Sequence, residues 1–160
     1  MNVMWMKRLA AVCLVSLCLT LTVRQAPAQE PSAGDKCPVC GMFVAKYPNW
    51  VASITFKGAS ALFFDGPKDL FTYYLNPGKY TPGRAPTAIT EIQVKDYYTL
   101  KRIDARKAFY VIGSDVYGPM GKELVPFEKT GDAEAFMRDH KGKRVVRFKQ
   151  ITPAVMKTLE

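Results

Sequence analysis

The chain has 160 residues, 48% of them hydrophobic and 23% charged, with a formal net charge of +9. That is about one domain of roughly 100–200 residues, and the composition excludes a disordered, collagen-like or low-complexity polymer. A basic chain can bind nucleic acid, but an exported one rarely meets any. The expectation is therefore a solvated basic face turned to an acidic partner or a membrane surface, with no nucleic acid.

Residues 1–28 carry the export pattern. Lys7-Arg8 closes a short basic region, and the 15 residues from Leu9 to Val23 contain no charge. Arg24 and the small-x-small site Ala26-Pro27-Ala28 follow. This is the layout of a secretory signal peptide, with cleavage expected after Ala28 and a periplasmic destination. An apolar run of that length falls short of the roughly 18–20 residues that cross a bilayer, so no stable span is expected after cleavage. Cys13 and Cys18 lie in the apolar run, preceded by Val12 and Leu17 where lipid attachment wants a small residue. A lipoprotein is accordingly not expected. Cleavage removes Lys7, Arg8 and Arg24 and leaves 132 residues with a net charge of +6. Only Cys37 and Cys40 then remain, too few for a disulfide framework. The domain has to stand on its hydrophobic core.

Residues 29–36 are small and polar and read as a flexible lead-in to a domain spanning 37–160. Side chains alternate over 50–57 as in a half-buried strand. Gly58 punctuates, and 59–64 reads as the partner strand of a hairpin. Asp65 is the candidate N-cap of a helix entered through Gly66 and Pro67. Leu70, Phe71, Tyr74 and Leu75 form its apolar stripe, and Asn76-Pro77-Gly78 ends it. The proline- and glycine-rich stretch 77–88 predicts a long loop. Strands are expected over 89–94 and 99–103, with Asp96-Tyr97-Tyr98 between them. The first pattern then recurs. Strands over 109–112 and 123–127 form a second hairpin, with Phe127-Glu128 in the place of Phe64-Asp65. Thr130 caps a helix from about 132 to 140, Gly142 ends it, and 144–148 is a strand. Thr152-Pro153 opens a last short helix. The expected fold is α+β, two ββαβ-like units packed as one compact body.

The chemistry concentrates in Cys37-Pro38-Val39-Cys40-Gly41-Met42. Two thiols and a thioether are soft donors that select copper(I), whose low coordination number needs two or three of them. A closed zinc site wants four ligands, and the exported chain offers two cysteines and one histidine. A periplasmic thiol–disulfide oxidoreductase is the rival reading of the same pair, although no strand precedes Cys37. An incidental disulfide between Cys37 and Cys40 is the plainest alternative. Met120 sits at the tip of Gly118-Pro119-Met120-Gly121, where filling a core is a poor use for it. His140 follows Asp139 at a helix end and reads as a solvated residue favoured by the helix dipole. Asp65, Asp69, Glu91, Asp96, Asp104 and Asp115 make no hydrolase pattern. No Ser-His-Asp signature, phosphate loop or zincin motif is present, so no enzyme is expected. The pairs Phe63-Phe64, Tyr73-Tyr74 and Tyr97-Tyr98 read as packing.

With these motifs together, the chain resembles the NosL family, accessory proteins of nitrous oxide reductase assembly. The likeness is carried by Cys40-Gly41-Met42, by Phe64-Asp65, and by the run from Gly113-Ser114 through Gly118-Pro119-Met120-Gly121 to Val125-Pro126-Phe127. It implies a periplasmic copper(I) chaperone built of two ββαβ units like those of alkylmercury lyase. It also implies a copper-enzyme client, nitrous oxide reductase, with its assembly factors. Cys40 and Met42 match the family's Cys-x-Met and Met120 its downstream methionine, while Cys37 is an additional thiol. The expected metal ligands are thus Cys37, Cys40, Met42 and Met120. Two departures stand beside the likeness: many members are lipoproteins, and His140 does not match the histidine ligand attributed to some.

Overall fold

A computed structural model describes residues 29–83 and 86–160. The expected signal peptide, its cleavage site, Cys13 and Cys18 lie outside the described residues.

The first unit starts with β1 (Ala52–Phe56) and β2 (Leu62–Phe64), antiparallel with Ala52 opposite Phe64 and Ile54 opposite Leu62. Helix α1 (Pro67–Leu75) follows, then the single turn α2 (Pro77–Tyr80), then β3 (Ile89–Lys95) and β4 (Arg102–Asp104). Together they make a four-stranded antiparallel sheet in the order β2-β1-β3-β4. The second unit repeats the plan. Strands β5 (Phe109–Ile112) and β8 (Val125–Phe127), helix α3 (Thr130–Asp139) and β9 (Arg144–Arg147) form a sheet in the order β8-β5-β9. In both units the first strand is central, flanked by its hairpin partner and by the strand that follows the helix. The recurrence expected from Phe64-Asp65 and Phe127-Glu128 is therefore structural. The second hairpin differs by an excursion, the small ribbon β6 (Tyr117–Gly118) and β7 (Gly121–Lys122). Helix α4 (Pro153–Lys157) closes the described chain, and the Thr152 hydroxyl caps it by accepting from the Val155 amide at 3.4 Å.

Period-two alternation places Ile54, Phe56, Ile92 and Val94 on the buried face of the larger sheet, under Leu70, Phe71 and Tyr73 of α1. Phe71 joins the units, with its ring 5.3 Å from that of Tyr110 on β5 and 5.1 Å from that of Phe148. Each such fully buried side chain contributes about 2–3 kcal/mol. A smaller cluster of Val111, Val125, Phe127, Ala133 and Phe136 lies beneath α3.

Several expectations shift by local chemistry. The turn falls at Lys57-Gly58 and residues 59–61 stay outside the strand, so β2 starts later than expected. The stripe of α1 buries Tyr73, whose hydroxyl bonds Thr81 Oγ1 at 3.0 Å, in preference to Leu75. The 77–88 loop contains α2 and a 3-10 turn at Pro86–Ala88. Neither Asp65 nor Thr130 is an N-cap. The cap positions are Gly66 and Lys129, without a side-chain cap bond in either case.

Candidate metal centre

The segment 37–43 folds into a tight knuckle. The Cys37 amide donates to Met42 O at 2.9 Å and the Gly41 amide to Cys37 O at 2.8 Å, while Lys36 and Phe43 form a β-bridge. Closing this turn puts Gly41 at φ +79°, a left-handed conformation that side chains resist. Fully buried Val44 anchors the knuckle in the core. The amides of Val39 and Cys40 point at the Cys37 sulfur and that of Met42 at the Cys40 sulfur, a setting that favours a thiolate once a proton is lost. The residues before Cys37 also make contacts: Val44 N donates to Asp35 O at 3.0 Å, and Glu30 pairs with Arg102 at 3.0 Å.

The knuckle sits on the entry to α1. Cys37 Sγ lies 3.2 Å from Asp69 Oδ2, and Cys40 Sγ lies 3.4 Å and 3.5 Å from the two oxygens of Asp65. Donor atoms of Cys37, Cys40, Asp65 and Asp69 all fall within 4.8 Å of one another. Both thiols are free, Cys37 buried and Cys40 half-buried. Burial pushes the Cys37 thiol far up, with the neighbouring carboxylates adding to the effect. Burial likewise pushes the Cys40 thiol up to about 12 and raises the Asp69 carboxyl. Each thiol therefore keeps its proton at neutral pH and points it at an aspartate oxygen. A reactive oxidoreductase cysteine needs the opposite, a depressed pKa.

Sequence reasoning missed both carboxylates. Asp65 spends its carboxyl on Cys40, and Asp69 sits in the first turn of α1, where the helix dipole favours negative charge. Their i, i+4 spacing at a helix entry was the available signal.

A third buried acid completes the surroundings. Glu123 Oε1 accepts from the amides of Lys68 at 2.6 Å and Leu124 at 2.8 Å, so the missing α1 cap comes from 55 positions away. Its other oxygen is wedged between two glycines: a Cβ would stand 2.5 Å from it at Gly66 and 2.8 Å from it at Gly118. The Gly118–Gly121 turn thus lies directly on the α1 N-terminus, with Lys68 Nζ donating to Met120 O at 2.9 Å. Met120 is 38% exposed, and Met42 is half-buried beside the knuckle. His140 is elsewhere, at the end of α3, 3.2 Å from Asp115 Oδ1 and stacked on Phe136.

Burial pushes the Glu123 carboxyl up to about 8 from an ordinary 4.5. The folded protein then binds more protons than the unfolded chain between those values. This contribution to stability is full below pH 4.5 and is lost as pH rises toward 8. Glu123→Gln should flatten this slope, a change on the order of a few kcal/mol across the window. Urea unfolding at a series of pH values measures it, and an equal slope in both proteins would refute the assignment.

Two free thiols and two carboxylates converging at one end of an α+β body form a group that could hold a metal ion. The chain belongs to the NosL family, whose pattern it matches over residues 27–156. It is 30% identical to the copper-binding lipoprotein NosL of Achromobacter cycloclastes, covering 93% of this chain and 80% of that protein. To the copper-binding lipoprotein NosL of Stutzerimonas stutzeri it is 29% identical, covering 79% and 68% respectively. The crystal structure of the copper chaperone NosL from Shewanella denitrificans superposes with a TM-score of 0.67 at 31% identity, covering 81% of this chain and 97% of that one.

One expectation is corrected by these relatives. The bulk of Val12 and Leu17 speaks against lipidation, yet two relatives are named lipoproteins. A single bulky neighbour is too weak a criterion when two cysteines stand in the apolar run. Among the described residues, no helix is long and apolar enough to cross a membrane.

Proposed function

We propose that this protein is a periplasmic copper(I) chaperone that delivers its cargo to an exported copper enzyme, nitrous oxide reductase. The convergence of two free thiols at a partly exposed edge carries the reading. Residues 1–28 act as the export segment of a copper-binding domain that begins at Cys37. Cys37 and Cys40 supply thiolates, and Met42 and Met120 supply thioethers from the knuckle and from the turn resting on α1. Until metal arrives the thiols keep their protons, directed at Asp69 and Asp65. Sulfur ligation suits copper(I), and an edge position lets an incoming ligand exchange with a weak thioether. The protein catalyses no reaction on this reading; the raised thiol pKa values argue against the CxxC pair as a redox catalyst.

Anaerobic titration against a competing copper(I) chelator tests the proposal. One copper(I) per chain should be withheld from the chelator by the reduced protein, and zinc should not displace it. A protein that never competes would overturn the reading.

A further inference from the structure

The large apolar side chains left exposed among the described residues gather at the end of the fold that holds the cysteines. Phe43, 39% exposed, belongs to the knuckle, and Met120 to the turn on α1. Tyr117, Tyr98 and Leu100, 65%, 48% and 45% exposed, border a groove of about 410 Å³ that Trp50, Tyr97 and Val116 also line. Strand register explains the placement. Ala52 faces Phe64, Ser53 faces Gln93, and Lys95 faces Arg102. Asp65, Trp50 and the 96–101 turn therefore leave the larger sheet at one end. Strands lie about 4.8 Å apart, which puts that turn about 10–15 Å across from the residues after Phe64.

The turn is built to hold its apolar side chains outward. Buried Asp96 accepts from the amides of Tyr98 at 3.1 Å and Thr99 at 2.7 Å, from the Thr99 hydroxyl at 2.8 Å, and from the Glu128 amide at 2.8 Å. Leu100 stands at φ 58°, a left-handed conformation in which glycine or asparagine would sit with less strain. Strain that keeps a leucine in solvent serves recognition better than it serves the core. One flank of the groove is acidic: the Tyr98 ring lies 6.3 Å from that of Phe136 on α3, and Asp132 and Asp139, at i−4 and i+3 from Phe136, share that face of the helix.

We propose that this groove is the docking surface for the copper-receiving enzyme, a partner presenting an apolar protrusion flanked by lysine or arginine. Tyrosine and tryptophan give such a face contact area at little ordering cost. The acidic flank orients the encounter, and the shared end of the sheet brings the acceptor's ligands to the cysteines. The inference rests on the chaperone reading above.

The test loads wild-type protein, the double variant Tyr98→Ser/Tyr117→Ser and Leu100→Asn with copper(I) under argon. Transfer is followed to apo nitrous oxide reductase of the same organism and, separately, to bathocuproine disulfonate. Both variants should load the enzyme at least about 10-fold more slowly, while the chelator strips them at the wild-type rate. Leu100→Asn should also melt at or above the wild-type temperature. Enzyme loading at the wild-type rate by both variants overturns the docking surface and leaves the chaperone reading intact. A wild-type protein that binds copper but never loads the enzyme overturns both. A wild-type dimer that the double variant dissociates would give the groove to a second copy. Cosedimentation with phosphatidylethanolamine–phosphatidylglycerol vesicles that Leu100→Asn abolishes would give it to lipid. Either result overturns the proposal.

Discussion

Cys40→Ser should weaken copper(I) binding by more than about 100-fold, beyond the 10–100-fold that loss of an outer partner of a ligand typically costs. The substitution exchanges a soft donor for a hard one at nearly constant volume. Cys40 is half-buried and 3.4 Å from Asp65. A serine hydroxyl can donate to the same carboxylate, so the knuckle should keep its shape and the melting temperature should move little. Met120→Ala ought to cost less, because a thioether is the weaker donor and the turn's backbone is held independently by Lys68 and by the wedge of Glu123. Chelator competition under argon ranks the two variants. Equal affinity in Cys40→Ser and wild type would remove the knuckle from the metal site.

The features readable from sequence were those with a local cause. Alternation marked β1, the short aromatic and β-branched run 109–112 marked β5, and Thr152-Pro153 marked the start of α4. Gly41 and Met42 after a CxxC marked a tight, sulfur-rich turn. The two-unit plan was visible because each helix is preceded by an aromatic–acid pair at the end of a hairpin. Features that depend on contact between distant segments were not readable. Asp65 and Asp69 meet their cysteines across 25 and 32 positions, and Glu123 meets α1 across 55. Asp65 carries the local marks of an N-cap, and only the arrival of Cys40 gives its carboxyl another partner. Gly66 and Gly118 look like turn residues, whereas each is also required by the same buried carboxylate oxygen. The Gly-Pro-Met-Gly turn is thus fixed to the helix entry by an acid that no local pattern singles out.

Copper(I) affinity should rise steeply with pH, and the steepness should depend on Asp69. Burial holds both thiols protonated at neutral pH, Cys40 with a pKa of about 12, while the metal is bound by thiolates. Each proton released to solvent on binding raises the apparent affinity about tenfold per pH unit. Two ligating cysteines must give up two protons, but Asp69 lies 3.2 Å from Cys37 and burial raises its carboxyl as well. One copper(I) and two thiolates already leave the site with a net negative charge, so a further ionised carboxylate there is unfavourable. Asp69 is placed to keep one of the two protons. Wild-type affinity should accordingly climb less steeply with pH than that of Asp69→Asn, whose two released protons give about 100-fold per unit. Removing the carboxylate also lowers the Cys37 thiol pKa, so the variant should bind copper(I) at least as tightly as wild type at pH 7. Chelator competition at three pH values reads both slopes. A flat profile would exclude thiolate ligation, and a large loss of affinity in Asp69→Asn would make that carboxylate a ligand instead of a proton store.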